Sequence, residues 1–222
     1  MAKVTIIGDV HGKTNAYTQL LRRLGEVSSV QVGDMGLGFK GVDLPPPGTS
    51  IPKGDHWFFR GNHDNPEKCR QHPNYLGDWG YTPTWDLFWV AGAWSIDRDY
   101  RIEGISWWRD EELPYVELHK ALDEYVKIKP RFVLSHDCPE SANKVLLYDL
   151  MGPYFMAKQQ CGTSRTCAVL ESMLAAWAPE EWIFGHYHVD KEFKVPGYRT
   201  KFRCVAELST YELNTEEPHG SI

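Results

Sequence analysis

The chain has 222 residues, a length that suits one large domain with a substantial core. Its formal net charge of −6 argues against a protein that wraps nucleic acid around a basic face. Its five cysteines include no Cys-x-x-Cys pair, which indicates reduced thiols rather than a disulfide framework. With no apolar run long enough for a membrane span and no signal peptide, the sequence predicts a soluble, cytoplasmic protein without a membrane partner or stable nucleic-acid binding.

The first predicted strand ends at a carboxylate and an imidazole. In residues 4–12, VTIIGDVHG, a β-branched run leads into Gly-Asp, and Asp9 and His11 stand two positions apart. On a turn, two such side chains can converge on one divalent metal ion. We expect this strand to be central in its sheet, because later elements must hold a strand that starts so early.

A helix and a second strand follow in a βαβ pattern. Apolar residues at helical spacing predict the helix: Tyr17, Leu20, Leu21 and Leu24. Gly25 is typical of a helix end, and the strand at residues 29–32 runs into Gly33-Asp34. Parallel pairing of the two strands would place Asp9 and Asp34 at the same edge of the sheet.

Three later predicted strands also end in polar residues. Residues 56–60 run into Asn62-His63-Asp64, residues 131–134 into His136, and residues 182–184 into His186 and His188. We expect helices beginning at Pro66, over residues 114–126, and after a cap at Thr163 or Ser164.

The rest of the organisation is a single domain over residues 1–213. The Gly/Pro-rich residues 38–54 contain three successive prolines, which exclude a central strand and favour a surface loop over a functional one. Residues 214–222 are predicted to be a flexible tail.

Six of the nine tryptophans lie within residues 79–108. We interpret most of them as the core of a twisted antiparallel sheet. The alternative is a substrate wall, in which rings stack a base and arginines meet a phosphate. The polar residues 95–101 between the aromatic segments are the expected substrate contact.

The candidate metal ligands all follow predicted strands. They are Asp9, His11, Asp34, Asn62, His136, His186 and His188. This set would serve two ions with a shared carboxylate, and two ions about 3.5–4 Å apart form a clamp for displacement at phosphorus. Mixed nitrogen and oxygen donors suit Mn above all, with Fe, Zn, Co or Ni as alternatives.

Five segments, GDVHG, GDMG, RGNHD, SHDCP and GHYH, resemble in this order the signature blocks of the calcineurin-like metallophosphoesterases. The blocks extend from Gly8 to His188. The resemblance implies an α/β fold, a four-layer αββα sandwich of two mixed β-sheets flanked by helices, with a dinuclear metal site at the carboxyl-terminal edge of the strands. It also implies the ligand assignment, in which Asp34 bridges an ion held by Asp9, His11 and His188 and a second ion held by Asn62, His136 and His186.

The resemblance further implies catalytic roles beside the metals. His63 would be the general acid or charge stabiliser at the leaving group, with Asp64 fixing its tautomer, while a metal-bridging hydroxide attacks phosphorus. Arg60 would contact the phosphate, as in the related protein phosphatases.

One departure from the resemblance bears on the substrate. The segment GDMGLG lacks the arginine with which Ser/Thr protein phosphatases grip phosphate. A diester monoanion needs less positive charge than a monoester dianion, so we expect a phosphodiesterase acting on a small nucleotide-type substrate such as a cyclic nucleotide. The alternative is a phosphomonoesterase such as a Ser/Thr protein phosphatase, for which Arg98 and Arg101 would restore the positive charge.

Two other readings are less consistent with the sequence. A nuclease would require a basic channel, and a non-catalytic metal-binding scaffold would be expected to have lost ligands that this chain keeps. The oligomeric state and the native metal stay open.

Overall fold

The computed structural model describes residues 3–43, 55–152 and 164–216. Its α-helices are α1 (Thr14–Leu24), α2 (Pro66–Gln71), α3 (Tyr115–Ile128), α4 (Glu140–Met151) and α5 (Arg165–Ala176). Its strands are β1 (Lys3–Ile7), β2 (Ser29–Val32), β3 (His56–Phe59), β4 (Trp79–Thr82), β5 (Leu87–Val90), β6 (Phe132–Ser135), β7 (Glu181–Phe184), β8 (Lys191–Lys194), β9 (Lys201–Cys204) and β10 (Thr210–Asn214).

The first sheet has the order β10-β1-β2-β3. Strands β1, β2 and β3 are parallel, and β10 is antiparallel to β1. The interior position of β1 and the parallel β1–β2 pair are therefore confirmed. Asn214, expected at the start of a flexible tail, instead pairs with Lys3 as the last residue of β10; residues 217–222 lie outside the described part of the chain.

The second sheet has the order β4-β5-β6-β7-β9-β8. Its four inner strands run parallel, and β4 and β8 are antiparallel to their neighbours. Both sheets are thus mixed and are flanked by helices, which confirms the α/β class. No helix in the described ranges has the length and apolar character that crossing a membrane requires.

Alternating side chains of the second sheet enter two different cores. Leu87 and Trp89 of β5 pack with residues of the first sheet such as Ile6 and Val32. Their neighbours Phe88 and Val90 pack instead in a cluster with residues of α3, α4 and α5. Burying each such side chain contributes about 1.5–3 kcal/mol, so the pattern fixes which face of the sheet meets which layer.

The aromatic segment mostly serves this packing, as predicted. β4 and β5 form the antiparallel pair, and Trp89 and Trp108 are both buried. Trp79 and Trp85 pack against the two cores. Trp94 instead lines a cleft described below, and Trp107 is only partly buried.

Helix ends follow the expected chemistry at two places. Pro66 is in the first turn of α2, where Asn65 accepts hydrogen bonds from two backbone amides. Ser164 caps α5 by accepting from the amide of Cys167, which confirms one of the two predicted caps.

The helix α4 was not predicted from the sequence. The expected loop at residues 38–54 is described only to residue 43, so its three prolines lie outside the described residues.

Candidate metal centre

Turns that follow five parallel strands bring the predicted ligands together. Asp9, His11, Asp34 and His188 form one group whose ligand atoms lie within 4.8 Å of one another. Asp34 also belongs to a second such group with His136 and His186. The shared carboxylate agrees with the bridging position expected for Asp34.

In the first group the nitrogens converge on a buried carboxylate. His188 Nε2 lies 3.1 Å and His11 Nε2 lies 3.6 Å from Asp9 Oδ2. The two imidazole Nε2 atoms are 2.8 Å apart. Two nitrogens that face each other beside a carboxylate form a donor set suited to a divalent cation.

The predicted amide ligand, Asn62, lies beside the second group. His136 Nε2 lies 3.2 Å from Asp34 Oδ1 and 3.1 Å from Asn62 Oδ1. His136 Nδ1 donates to the carbonyl of Val32 at 2.8 Å, which orients the ring and leaves Nε2 facing the other ligands. The structure therefore brings together all seven residues that the sequence identified.

Backbone conformation at the ligands is unusual. His11, Asp34, His186 and His188 have φ values of 49°, 55°, 67° and 56°. A non-glycine residue in this left-handed region costs of order 1–3 kcal/mol of folding free energy. The conformation persists only where the surrounding structure enforces it. These turns aim the four side chains at the centre at the expense of local stability, which is a pattern typical of functional sites.

Two glycines show how tightly the centre is packed. A Cβ atom added at Gly61 would collide with Asp34 Oδ1, and one added at Gly185 would collide with Asp9 Oδ1. Gly185 also precedes His186, whose amide donates to Asp9 Oδ1 at 3.1 Å. The glycines before Asn62 and His186 thus make room for candidate ligands from other strands.

The buried charges of Asp34 and His136 stabilise each other. Burial opposes the charged form of Asp34, but the positive charge of His136 prevails and holds the pKa of Asp34 well below its usual range. For His136, burial is likewise outweighed by Asp34, which raises its pKa to about 10. Without a bound cation, Asp34 and His136 therefore form a buried ion pair, and a ligated metal would replace the proton on His136.

His63 lies beside this centre and contacts an arginine. Its backbone amide donates to Asp34 Oδ1 at 2.7 Å, and its ring stacks on Phe39 with centroids 4.9 Å apart. Its Nε2 is 2.5 Å from Arg101 Nη2. Burial, together with the charge of Arg101, lowers the pKa of His63 to about 4 despite the opposing effect of Asp34.

Asp64, which was expected to fix the tautomer of His63, makes its hydrogen bonds to the backbone instead. Its two carboxylate oxygens accept hydrogen bonds from backbone amides of Met35, Gly36, Leu37 and Gly61. With both oxygens engaged in this way, Asp64 fastens the turn after β2 to the turn after β3. It supports the ligand-bearing turns and not the imidazole.

Arg60 and Arg98 also differ from expectation. Arg60 is fully buried, and its Nε donates to Asp78 at 2.6 Å while Nη1 donates to the carbonyl of Glu111 at 2.8 Å. It therefore braces the core instead of contacting phosphate. Arg98 lies over the ring of Trp94, 5.0 Å from its centroid.

Arg101 is the predicted substrate arginine that reaches the centre. Besides His63, it contacts Asp97 Oδ1 at 2.7 Å and Ser95 Oγ at 3.3 Å. Its side chain is 10% exposed, so the guanidinium is held in place but remains accessible from the cleft. Part of the predicted contact segment, residues 95–101, therefore lies beside the candidate metal centre.

Asn62 is held by a support that its sequence neighbours do not indicate. Asn62 Nδ2 donates to Ser95 Oγ at 2.9 Å, and Ser95 Oγ donates to Glu111 Oε2 at 2.5 Å. The Ser95 amide also donates to Glu111 Oε1 at 3.1 Å. Because the amide nitrogen of Asn62 is engaged, its oxygen turns towards His136. No local motif signals this, since Glu111 is distant in sequence from both partners.

A cleft of about 660 Å³ opens from the centre. Its described lining includes Asp34, Asn62, His63 and Arg101 on one side and residues of α4 and α5 on another. This size lies within the usual range for small-molecule sites. No family model matches this chain, and no curated protein matches it in a sequence comparison.

Proposed function

We propose that this chain is a metal-dependent phosphoester hydrolase of the calcineurin-like metallophosphoesterase type. The observation that carries the proposal is the placement of Asp34 in two ligand groups, each supplied by turns at the ends of parallel strands. The resemblance of five ordered segments supports it independently, because those segments contain every residue of the two groups.

The ligand sets divide between two ions as the resemblance implies. Asp9, His11 and His188 would hold one ion, Asn62, His136 and His186 would hold the other, and Asp34 would bridge them. The donors mix nitrogen and oxygen, which favours Mn, Fe, Zn, Co or Ni over Mg, since Mg²⁺ prefers oxygen ligands in octahedral geometry. Two such ions supply Lewis-acid polarisation of a phosphoryl oxygen and activate water for attack on phosphorus.

The chain's own groups would orient the ester and stabilise its charge. Arg101 presents a fixed guanidinium beside the centre, and His63 accepts one of its N–H groups. A His63 pKa of about 4 leaves the imidazole neutral near pH 7. We therefore favour charge stabilisation by the Arg101–His63 pair over proton donation from a resting imidazolium.

The substrate we favour is a small phosphodiester. Of the arginines considered from the sequence, Arg60 is engaged in the core and Arg98 lies on Trp94. A single guanidinium beside the metals suits a diester monoanion. A phosphomonoesterase is the second candidate, and Arg101 is the observation in its favour.

The packing also supports the four-layer αββα arrangement. One cluster joins residues of both sheets, a second joins β1 and β3 to α1 and α2, and a third joins the second sheet to α3, α4 and α5. We infer the layer order helices, sheet, sheet, helices from these three clusters.

Metal removal and return test the proposal. Protein treated with chelator, then given Mn²⁺, should regain hydrolysis of bis(4-nitrophenyl) phosphate, with a higher kcat/KM than for 4-nitrophenyl phosphate.

A substitution tests the shared ligand. Asp34→Asn should abolish turnover, while Asp99→Asn, at a carboxylate 91% exposed, should not. Full turnover in the presence of chelator would exclude a metal-dependent reaction, and a diester-to-monoester ratio below one would favour the second candidate.

A further inference from the structure

The cleft extends beyond the metal ligands, and its walls there are apolar. Trp94 and Ile96, which follow β5, line it on one side, and Leu147 and Met151 of α4 also line it. Ile96 and Met151 are 69% and 46% exposed, so neither is used in the core. Exposed apolar side chains that face a shared cleft are typical of a binding surface for an apolar group.

Polar groups beside these walls are held in defined directions. Tyr187 Oη donates to Asp137 Oδ1 at 2.8 Å and lies 2.5 Å from Asn143 Nδ2, which donates to it. Asp137 is buried and also accepts from Cys138 N at 2.8 Å. Tyr187 directly follows the candidate ligand His186, so this polar arrangement adjoins the metal centre. These hydrogen bonds occupy the hydroxyl of Tyr187, so a ligand in this part of the cleft meets mainly the apolar walls.

The charge of the lining restricts the ligand further. Arg101 is the only lysine or arginine among the described residues that line the cleft, and it is engaged with His63 and Asp97. Among the described residues, the part of the cleft near α4 therefore has no lysine or arginine for a second anionic group. A polyphosphate chain or an acidic peptide would be left with uncompensated charge there.

We propose that this part of the cleft, bounded by Trp94, Ile96, Leu147 and Met151, binds an uncharged, aromatic organic group carried by the alcohol part of the phosphate ester. A nucleobase joined to the phosphate through its sugar has the required properties, because its two flat faces can lie against the apolar walls. The inference rests on the proposed function for the position of the phosphate. The nature of the group follows from the lining alone.

Binding of an uncharged probe tests this without turnover. Saturation-transfer NMR with 1-naphthol would be measured on the full chain, on Met151→Glu and on Leu150→Glu. Met151 and Leu150 are similarly exposed, at 46% and 44%, but of the two only Met151 lines the cleft. The two variants carry the same added charge on the same helix, so any shared effect of charge cancels.

We expect the wild type and Leu150→Glu to bind 1-naphthol with equal affinity and Met151→Glu to bind it at least fivefold more weakly. Trp94→Leu should weaken binding about tenfold, the scale of one lost aromatic stacking contact. Circular dichroism would confirm that the variants fold. Equal binding in all four proteins, or no binding by the wild type, would overturn the proposal.

A kinetic comparison tests whether the organic group bound in the cleft must be uncharged. Phenyl 4-nitrophenyl phosphate should have a higher kcat/KM than its analogue carrying a carboxylate on the phenyl ring, and Met151→Glu should reduce the rate for the first. A carboxylated analogue that reacts equally well would overturn the inference of an uncharged group. Naphthol binding without hydrolysis of any ester would refute the proposed function while leaving the binding site in place.

Discussion

The guanidinium of Arg101 lies 2.5 Å from Nε2 of His63, and the carboxylate of Asp97 lies 2.7 Å from the same guanidinium. The three residues come from two separate turns, one after β3 and one in the segment after β5. The guanidinium of Arg101 is thus held against the ring of His63, the residue that follows the candidate ligand Asn62. In the proposed function, Arg101 would supply the positive charge that the segment after β2 lacks.

Replacing Arg101 by lysine should lower kcat/KM for a diester by about 10²-fold, the scale of removing one preorganised donor at a developing negative charge. Lysine keeps the charge but cannot contact His63, Asp97 and Ser95 together. The control is Arg109→Lys, at an arginine whose side chain is 80% exposed and paired with Glu103, which should change the rate less than twofold. Equal effects of the two substitutions would remove Arg101 from the site.

Replacing His63 by alanine should preserve metal binding and lower kcat by about 10²–10³-fold. Because the pKa of His63 is lowered to about 4, the residue stores no proton near pH 7, and the loss should be the same for good and poor leaving groups. A series of aryl esters with different phenol pKa values measures this directly. A loss that disappears with nitrophenolate would instead show that His63 protonates the leaving group.

Ser95→Ala should weaken binding of one ion by about 10–100-fold, the usual effect of removing a group that orients a ligand. The substitution leaves Asn62 Nδ2 without its acceptor, so its oxygen is no longer held towards His136. Competition with a chromophoric chelator would resolve the two ions, and Ser95→Thr should restore affinity by returning the hydroxyl. Ser106→Ala, in the same part of the chain, is the control. Two unchanged affinities in Ser95→Ala would show that the hydrogen bond does not position the ligand.

Metal binding should release protons near pH 7.5. In the metal-free protein the pKa of His136 is raised to about 10, so the ring is protonated there, whereas a ligating imidazole must be neutral. Binding must therefore expel this proton, and apparent affinity should rise with pH up to about 10. Calorimetry in buffers of different ionisation enthalpy counts the protons. A binding enthalpy that is independent of the buffer would contradict the assignment of His136.

The positions of the candidate ligands could be predicted because the sequence patterns that indicate them are local. Each lies within a few residues of a strand end, and parallel strands such as β1 and β2 bring Asp9 and Asp34 to one edge. Side-chain direction at sharp turns could not be predicted in the same way. Asp64 adjoins His63 in sequence, yet its carboxylate points to the amides of the turn after β2.

The supports of the site depend on contacts between distant parts of the chain. Ser95 reaches both Asn62 and Glu111, and Tyr187 reaches Asn143. None of these pairs has a spacing that periodicity or a motif would reveal. Arg60 shows the same limit, because only the packed structure reveals that Asp78 and Glu111 enclose it.

The left-handed backbone at His11, Asp34, His186 and His188 has a consequence for transplanting this centre into another scaffold. Copying the side chains onto extended or helical positions would aim them in other directions, whatever their distances in sequence. A host protein would have to reproduce the turns themselves, including a glycine such as Gly61 that leaves space for a ligand from a neighbouring strand. The transferable unit is therefore a set of backbone turns, and the seven side chains are meaningful only on those turns.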